Sequence, residues 1–312
     1  MTVLDGAPQE AHRTTDVRSE RMAGVNSAQR VLDTLVALVD TTGFGALGVH
    51  VLVGDEAASH RWAPDLRREV HSVAKGIGVL AVGMAADDGL LDVDVPVAAS
   101  LPDVRFGAGT DEVTLRHLLT MTSGIDMPWS PTELSDWPDL AREFLGRPSR
   151  GRVFQYANAS SYTAMRVLAT RVGDVGAFVA DRLFAPLGID GVTWRRCPLG
   201  FVAGGEGIAL TTEELARVGR LVRDRGAVDG RQLVDGGWCD AMHTDWVVRP
   251  DAEPPYDRYA MAGWGGPGPL WRLHGAYGQM LLFHGETVVT VTADDHAGAD
   301  AFAAAVAVAL ER

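Results

Sequence analysis

Residues 271–295 read WRLHGAYGQMLLFHGETVVTVTADD. Two apolar runs rich in β-branched and aromatic residues are broken at Gly285–Glu286, which predicts an antiparallel hairpin. The alanine-rich stretch behind it, about 297–311, predicts a closing helix. Strand signals also stand at the opposite end of the chain. LGVHVLVGDE at 47–56 alternates valines at 49, 51 and 53, and a Gly54–Asp55 turn returns the chain through SHRWAP at 59–64. Val31, Leu32, Leu35, Val36 and Val39 recur at helical spacing behind a cap signal at Asn26 and Ser27, predicting a helix from about Ser27 to Val39.

Between these ends the pattern changes. From Ser72 to about Asp88 it is helical, and residues 90–245 read mostly as helices joined by loops, the clearest around 112–121, 138–145, 159–184 and 211–224. The fold class expected is α/β (α+β): one antiparallel sheet built from both chain ends, flanked by helices, with an inserted helical lobe. The division expected is a polar N-terminal arm over 1–25, a sheet domain over 26–76 plus 246–312, and a mostly helical domain over 77–245.

Composition narrows the function. The 312 residues carry 41 acidic against 28 basic side chains, a formal net charge of −13 with no basic run, which argues against a nucleic-acid or anionic-membrane partner. No apolar stretch reaches the ~18 residues of a membrane span. The first twenty residues are polar and lack a signal peptide's apolar core, so a cytoplasmic location is expected. The two cysteines, Cys197 and Cys239, fall in no metal or redox spacing. Nine histidines include no H-E-x-x-H, so no metal is expected, and no organic cofactor either. Two G-x-G-x-x-G matches, at Gly43, Gly45, Gly48 and at Gly263, Gly265, Gly268, lack the strand–turn–helix context of a dinucleotide site and read as turns. No serine stands in G-x-S-x-G.

The basic side chains are 27 arginines and one lysine, Lys75, within His71-Ser72-Val73-Ala74-Lys75. A three-residue step on a helix puts Ser72 and Lys75 on one face. A serine nucleophile can hand its proton to a lysine there, provided desolvation or a neighbouring charge lets the amine release its own, and arginine cannot substitute. The apolar neighbours Val70, Val73, Ala74, Ile77, Val79 and Leu80 suit such a site. The alternative is a surface lysine, in a chain that otherwise uses arginine. Tyr156-Ala157-Asn158 holds one of only two asparagines. A phenol beside a lysine can relay a proton and an amide can hold a carbonyl; a helix cap beside a core tyrosine is the bland alternative. Chance placement of both spacings, with eleven serines and five tyrosines, is on the order of one in a thousand. Residues 273–279, LHGAYGQ on an expected strand, let backbone approach a ligand and offer an N–H for an oxyanion hole; a hairpin turn is the alternative.

S-V-A-K at 72–75, Y-A-N at 156–158 and the late glycine-containing strand together resemble the penicillin-recognising serine hydrolases. The tyrosine in the middle motif resembles the branch of class C β-lactamases, D,D-peptidases, esterases and 6-aminohexanoate-dimer hydrolases. LRHLLTMTSGI at 115–125, LFAPLGIDGVTW at 183–194 and GGEGIALTTEELARVGRLVRDRG at 204–226 agree, so the resemblance covers about residues 28–310. It implies Ser72 as acylating nucleophile, Lys75 and Tyr156 as its proton-transfer partners, Asn158 at the substrate, and an oxyanion hole of the Ser72 N–H and one from the late strand. The third motif departs from the family's Lys-Thr-Gly or His-Thr-Gly. One register matches Gly275 to the motif glycine, with Leu273 and His274 in the first two places and Ala276 as oxyanion donor; the other puts His274 in the lysine place. Either way the pair that grips a substrate carboxylate is incomplete, which weakens β-lactam or D,D-peptidase chemistry.

The function expected is a serine hydrolase cleaving a small ester, amide or short peptide through a Ser72 acyl-enzyme. The alternatives are an acyltransferase or peptide cyclase on the same intermediate, a true β-lactamase or D,D-peptidase, and a catalytically silent binding domain. The loop from Ile125 to Gly151, with Met127, Trp129, Trp137 and four prolines, is expected to line or cover the acyl pocket, against the alternative of an ordinary surface loop. Trp264 and residues 250–255 are weaker candidates for the opposite wall.

Overall fold

The protein is described by a computed structural model over residues 27–127, 139–266 and 268–311. In chain order the strands are β1 (Ala46–Val53), β2 (Glu56–Arg61), β3 (Arg68–Glu69), β4 (Ala209–Leu210), β5 (Ala227–Val228), β6 (Arg231–Gln232), β7 (Val247–Val248), β8 (Arg258–Tyr259), β9 (Trp264–Gly265), β10 (Trp271–Gly275), β11 (Gln279–His284) and β12 (Thr287–Ala293). The helices are α1 (Ser27–Thr42), α2 (Ala74–Asp87), α3 (Leu115–Leu119), α4 (Leu140–Leu145), α5 (Asn158–Val172), α6 (Val175–Val179), α7 (Thr212–Arg223), α8 (Gly236–Asp240) and α9 (Ala299–Leu310). The main sheet has the order β2-β1-β12-β11-β10-β9-β8-β7, its pairs all antiparallel. The first two strands thus pair onto the last, as the patterning at the two chain ends predicts. The mixed fold, an antiparallel sheet with helices, is the one expected.

Alternation along the strands divides the core. Val49, Val51, Met280, Leu282, Val289 and Val291 pack with Leu32, Leu35, Phe302 and Val306 of α1 and α9. The opposite face, through Leu52, Leu273, Leu281, Phe283 and Val288, packs with α2 and α7. Helix α2 is buried over its length from Ala74 to Ala85, which explains why it shows an apolar run with little amphipathic contrast. Its glycines permit close approach. A Cβ at Gly76 would stand 2.6 Å from the Leu273 side chain, and one at Gly83 2.6 Å from the Trp238 ring. Helix α7 opens with a reciprocal capping box, Thr211 Oγ1 accepting from the Glu214 N–H while Glu214 accepts from the Thr211 N–H.

Three expectations need correction. The helix expected over 159–184 is interrupted: Gly173, at φ +74°, ends α5, and Asp174 caps α6 by accepting from the Ala177 N–H at 3.0 Å. The helix expected over 112–121 shortens to α3, started by the Thr114 cap. The strand expected through 273–279 breaks at Ala276–Gly278 into a tight turn between β10 and β11, with Tyr277 at φ +59° and Gly278 at φ +81°. Both cysteines are free and buried. Among the described residues no helix is long and apolar enough to cross a membrane.

Because the Trp238 ring occupies the space over Gly83, Gly83→Ala is expected to destabilise the fold by about 1–3 kcal/mol despite alanine's better helix propensity. A urea-unfolding midpoint equal to or above the wild type would contradict this packing.

Candidate active site

The nucleophile candidate sits at a bend. Residues His71–Val73 form one 3₁₀ turn that runs directly into α2, and His71 holds a left-handed φ of +48°. The bend is tied down from one side by the Val70 N–H, which donates to the Ile208 carbonyl at 2.9 Å, next to the short β3–β4 pairing. That pairing brings the 204–208 segment against the start of α2.

Lys75, in the first turn of α2, is only 4% exposed. Its Nζ stands 3.0 Å from Ser72 Oγ, 2.7 Å from Asn158 Oδ1 and 3.1 Å from the Gly205 carbonyl oxygen. Three oxygens thus surround the amine, and a buried amine left without them would be strongly destabilising. Asn158 opens α5, and the cap residue before it, Ala157, makes no side-chain cap; the Asn158 amide serves the lysine instead. A Cβ at Gly205 would lie 3.0 Å from Lys75 Nζ and 2.9 Å from Asn158 Oδ1, so glycine lets that carbonyl reach the amine.

Tyr156 meets Lys75 by its ring face, Nζ lying 4.8 Å from the centroid. Its ring leans on Trp264 at 5.4 Å and stands edge-on to Tyr259 at 5.9 Å. Phe154, Met121 and Tyr256 complete this aromatic wall. The end of β10 arrives opposite. A Cβ at Gly275 would stand 2.3 Å from the Val70 carbonyl and 3.2 Å from the Ser72 nitrogen, so the two backbones touch. Among the described residues no loop or cap hydrogen bond uses the N–H of Ser72 or of Ala276. Free N–H groups of this kind are what an oxyanion hole requires.

The Beta-lactamase family model matches residues 29–311, nearly the whole chain. The chain belongs to the β-lactamase family. Among its relatives, the 6-aminohexanoate-dimer hydrolase of Paenarthrobacter ureafaciens is 29% identical over 224 residues, 62% of this chain and 55% of that protein. The chain thus spans about half the length of that relative. Among solved structures, the class C β-lactamase of Rhodobacter sphaeroides superposes with a TM-score of 0.72 at 16% identity, covering 90% of this chain and 99% of that one. The octameric penicillin-binding protein homologue of Pyrococcus abyssi gives 0.69 at 16%, covering 92% and 78%. At such identities the likeness concerns the β-lactamase fold.

Within this β-lactamase-family chain, Ser72, Lys75, Tyr156, Asn158 and Gly275 are brought into contact around Lys75 and the Ser72 turn, and Ala276 follows Gly275. His274 does not join them. Leu273 and Gly275 face α2, as the register centred on Gly275 requires, so the alternation turns His274 to the α9 side. Its Nδ1 lies 3.3 Å from Tyr256 Oη and 3.7 Å from the Asp300 carboxylate. Trp129 and Trp137 lie outside the described residues. Trp264 packs its ring against Tyr156 at 5.4 Å. Two contributors were not among the candidate site residues: Gly205, which acts through its carbonyl, and Tyr259, an isolated tyrosine in no motif.

Burial first, and the neighbouring Arg272 charge second, push the His274 pKa down to about 3. Burial also lowers His50, His71 and His117. Unfolded histidine titrates near pH ~6.5. Between the two values the unfolded chain binds the additional proton, so stability is expected to fall as pH drops from about 6.5 toward 3. Urea midpoints taken across that window should show a shallower pH slope in His274→Asn; identical slopes would remove His274 from the account.

Proposed function

We propose that this chain is a serine hydrolase that cleaves an ester or amide through an acyl-enzyme on Ser72. The observation that carries the reading is the 3.0 Å contact between Ser72 Oγ and a buried lysine whose remaining contacts are fixed by Asn158 and Gly205. Ser72 Oγ attacks the substrate carbonyl and its proton passes to Lys75, with Tyr156 as relay. The oxyanion of the tetrahedral intermediate is held by the N–H groups of Ser72 and Ala276. The carbonyl's bond to the alcohol or amine then breaks and the proton goes to the leaving group. Water repeats the sequence on the acyl-serine, releasing the acid and restoring Ser72.

The substrate class is argued from the cleft walls. On the α2 face of β10 the residue two before Gly275 is Leu273, packed on Gly76, where the family pattern has a basic side chain. The proposed substrate is accordingly a small ester, amide or short peptide without a carboxylate at that place. The Paenarthrobacter relative is named as a hydrolase of a 6-aminohexanoate dimer, which supports a short amide among these substrates and leaves the carboxylate question to experiment.

Ser72→Ala is expected to lower kcat/KM on p-nitrophenyl esters or amides by about a thousandfold or more, with Lys75→Arg comparably impaired. Intact-mass measurement after a fluorophosphonate should show one adduct, lost in Ser72→Ala. Turnover surviving in Ser72→Ala refutes the reading, and an added amine intercepting the acyl group in preference to water would redirect it to acyl transfer.

A further inference from the structure

Tyr259, which ends β8, is wholly buried; the Ala262 backbone N–H faces its Oη, and its hydroxyl proton has no acceptor among the described residues. A phenylalanine would fill the same volume without burying an unpaired hydroxyl, so the hydroxyl calls for a reason. Its ring stands edge-on to Tyr156 and to Trp264, the latter at 4.7 Å. Burial, reinforced by the neighbouring Tyr156 phenol, pushes its pKa well above the ordinary tyrosine value, so it keeps its proton.

A small cavity adjoins it, lined among others by Lys75, Gly78, Met121, Ser161, Tyr259 and Ala262. The space open to a water's centre there is about 10 Å³, room for one molecule at most. The titratable and charged groups facing Tyr259 are Lys75 from α2 and Tyr156 from the segment before α5. Arg249 lies farther out, over the rings of Phe154 and Trp264. Among the described residues no carboxylate lines the cavity.

We propose that Tyr259 is a positioning residue: its O–H orients one internal water beside Lys75, and that water steadies the positive charge that appears on Nζ when the Ser72 proton arrives. The three fixed contacts of Nζ are to neutral oxygens, so a lone pair turned toward the amine adds favourable electrostatics in a site shielded from solvent. Tyr259 donates to the water, and the water's oxygen faces the lysine. No bond forms or breaks in this step.

The inference rests on the Ser72 acyl-enzyme reading, and its test separates the two. The readout is the rate of Ser72 labelling by a fluorophosphonate as a function of pH, with two variants. Tyr259→Phe removes the donor and keeps the ring. Gly78→Ala keeps the donor and places a methyl in the cavity, where its Cβ makes ordinary contact with Met165 at 3.4 Å. With the lysine's charge less stabilised, the limb on which labelling rises is expected to shift to lower pH by roughly half a unit or more in both variants. The maximal labelling rate should fall several-fold. Wild-type protein that is never labelled sinks the acyl-enzyme reading. Labelled variants whose pH limbs superimpose on the wild type overturn the role of Tyr259, as does a shift confined to Tyr259→Phe, which would exclude the water. Should Tyr259→Phe fail to fold, the limb of Gly78→Ala decides alone.

Discussion

A lysine amine buried without a carboxylate partner is the constraint on which the rest of this structure depends. Lys75 lies at the start of a helix enclosed on all sides, and its Nζ is reached by three oxygens from three separate stretches of chain: Ser72 one turn earlier, Asn158 at the head of α5, and the Gly205 carbonyl before β4. None is dispensable, because a buried ammonium group with an unmade hydrogen bond is far costlier than one in water. The helical lobe must therefore dock with Asn158 at the lysine, and the 204–208 segment must be drawn across the start of α2. The β3–β4 pairing and the Val70–Ile208 hydrogen bond achieve the second.

The sheet supplies what the helical lobe cannot: backbone delivered at contact distance. Because β1 and β2 come from one end of the chain and β10–β12 from the other, the sheet closes only when both are present. Its reward is β10, whose Gly275 touches the Ser72 turn and whose next residue, Ala276, opens the turn into β11. Leu273, two residues back on the same face, locks against Gly76 and fixes the height at which the strand crosses α2. The same alternation assigns Arg272 and His274 to the α9 face, where Arg272 pairs with Asp300 at 2.8 Å and Tyr256 donates to the same carboxylate. The two faces of one strand thus carry different work.

How much of this was legible in the sequence follows from the range over which each contact is encoded. Ser72 and Lys75 are one helical turn apart, so their spacing reveals them. The hairpin β11–β12 and the strand-rich ends are likewise local, and the fold class followed from them. Asn158 was legible as a candidate residue, but its geometry toward Lys75 was not, because 83 residues separate the two and only tertiary packing joins them. Gly205 contributes a backbone carbonyl, which every residue has, and Tyr259 contributes a hydroxyl distinguished only by its burial. The direction of His274 was not legible, because it depends on a strand register that glycine spacing alone leaves open; the fold turns it toward Tyr256 and Asp300. The helix expected over 159–184 failed for a local reason, Gly173 taking a left-handed φ where the apolar periodicity ran on.

Backbone strain follows the same geography. Of the six non-glycine residues with left-handed φ among those described, His71 precedes Ser72, Tyr277 follows Ala276, and Met121 and Ala262 line the cavity beside Lys75; Arg225 and Asp229 stand in turns after α7, away from the site. Such conformations are unfavourable by about 1–3 kcal/mol each and persist only where the surroundings over-determine them. His71 is held by the bonded Val70 behind it and by its ring against Tyr277, at 5.2 Å. Tyr277 is held in turn by the tight β10–β11 connection and by the Asp295 N–H, which donates to its carbonyl. Relaxing either would swing the Ser72 or the Ala276 N–H away from the cleft. The strain at His71 and Tyr277 is thus the counterpart of the buried lysine: the lysine fixes the Ser72 hydroxyl at 3.0 Å, the strained residues fix the backbone on either side of the two candidate oxyanion donors, and both are set in the folded chain.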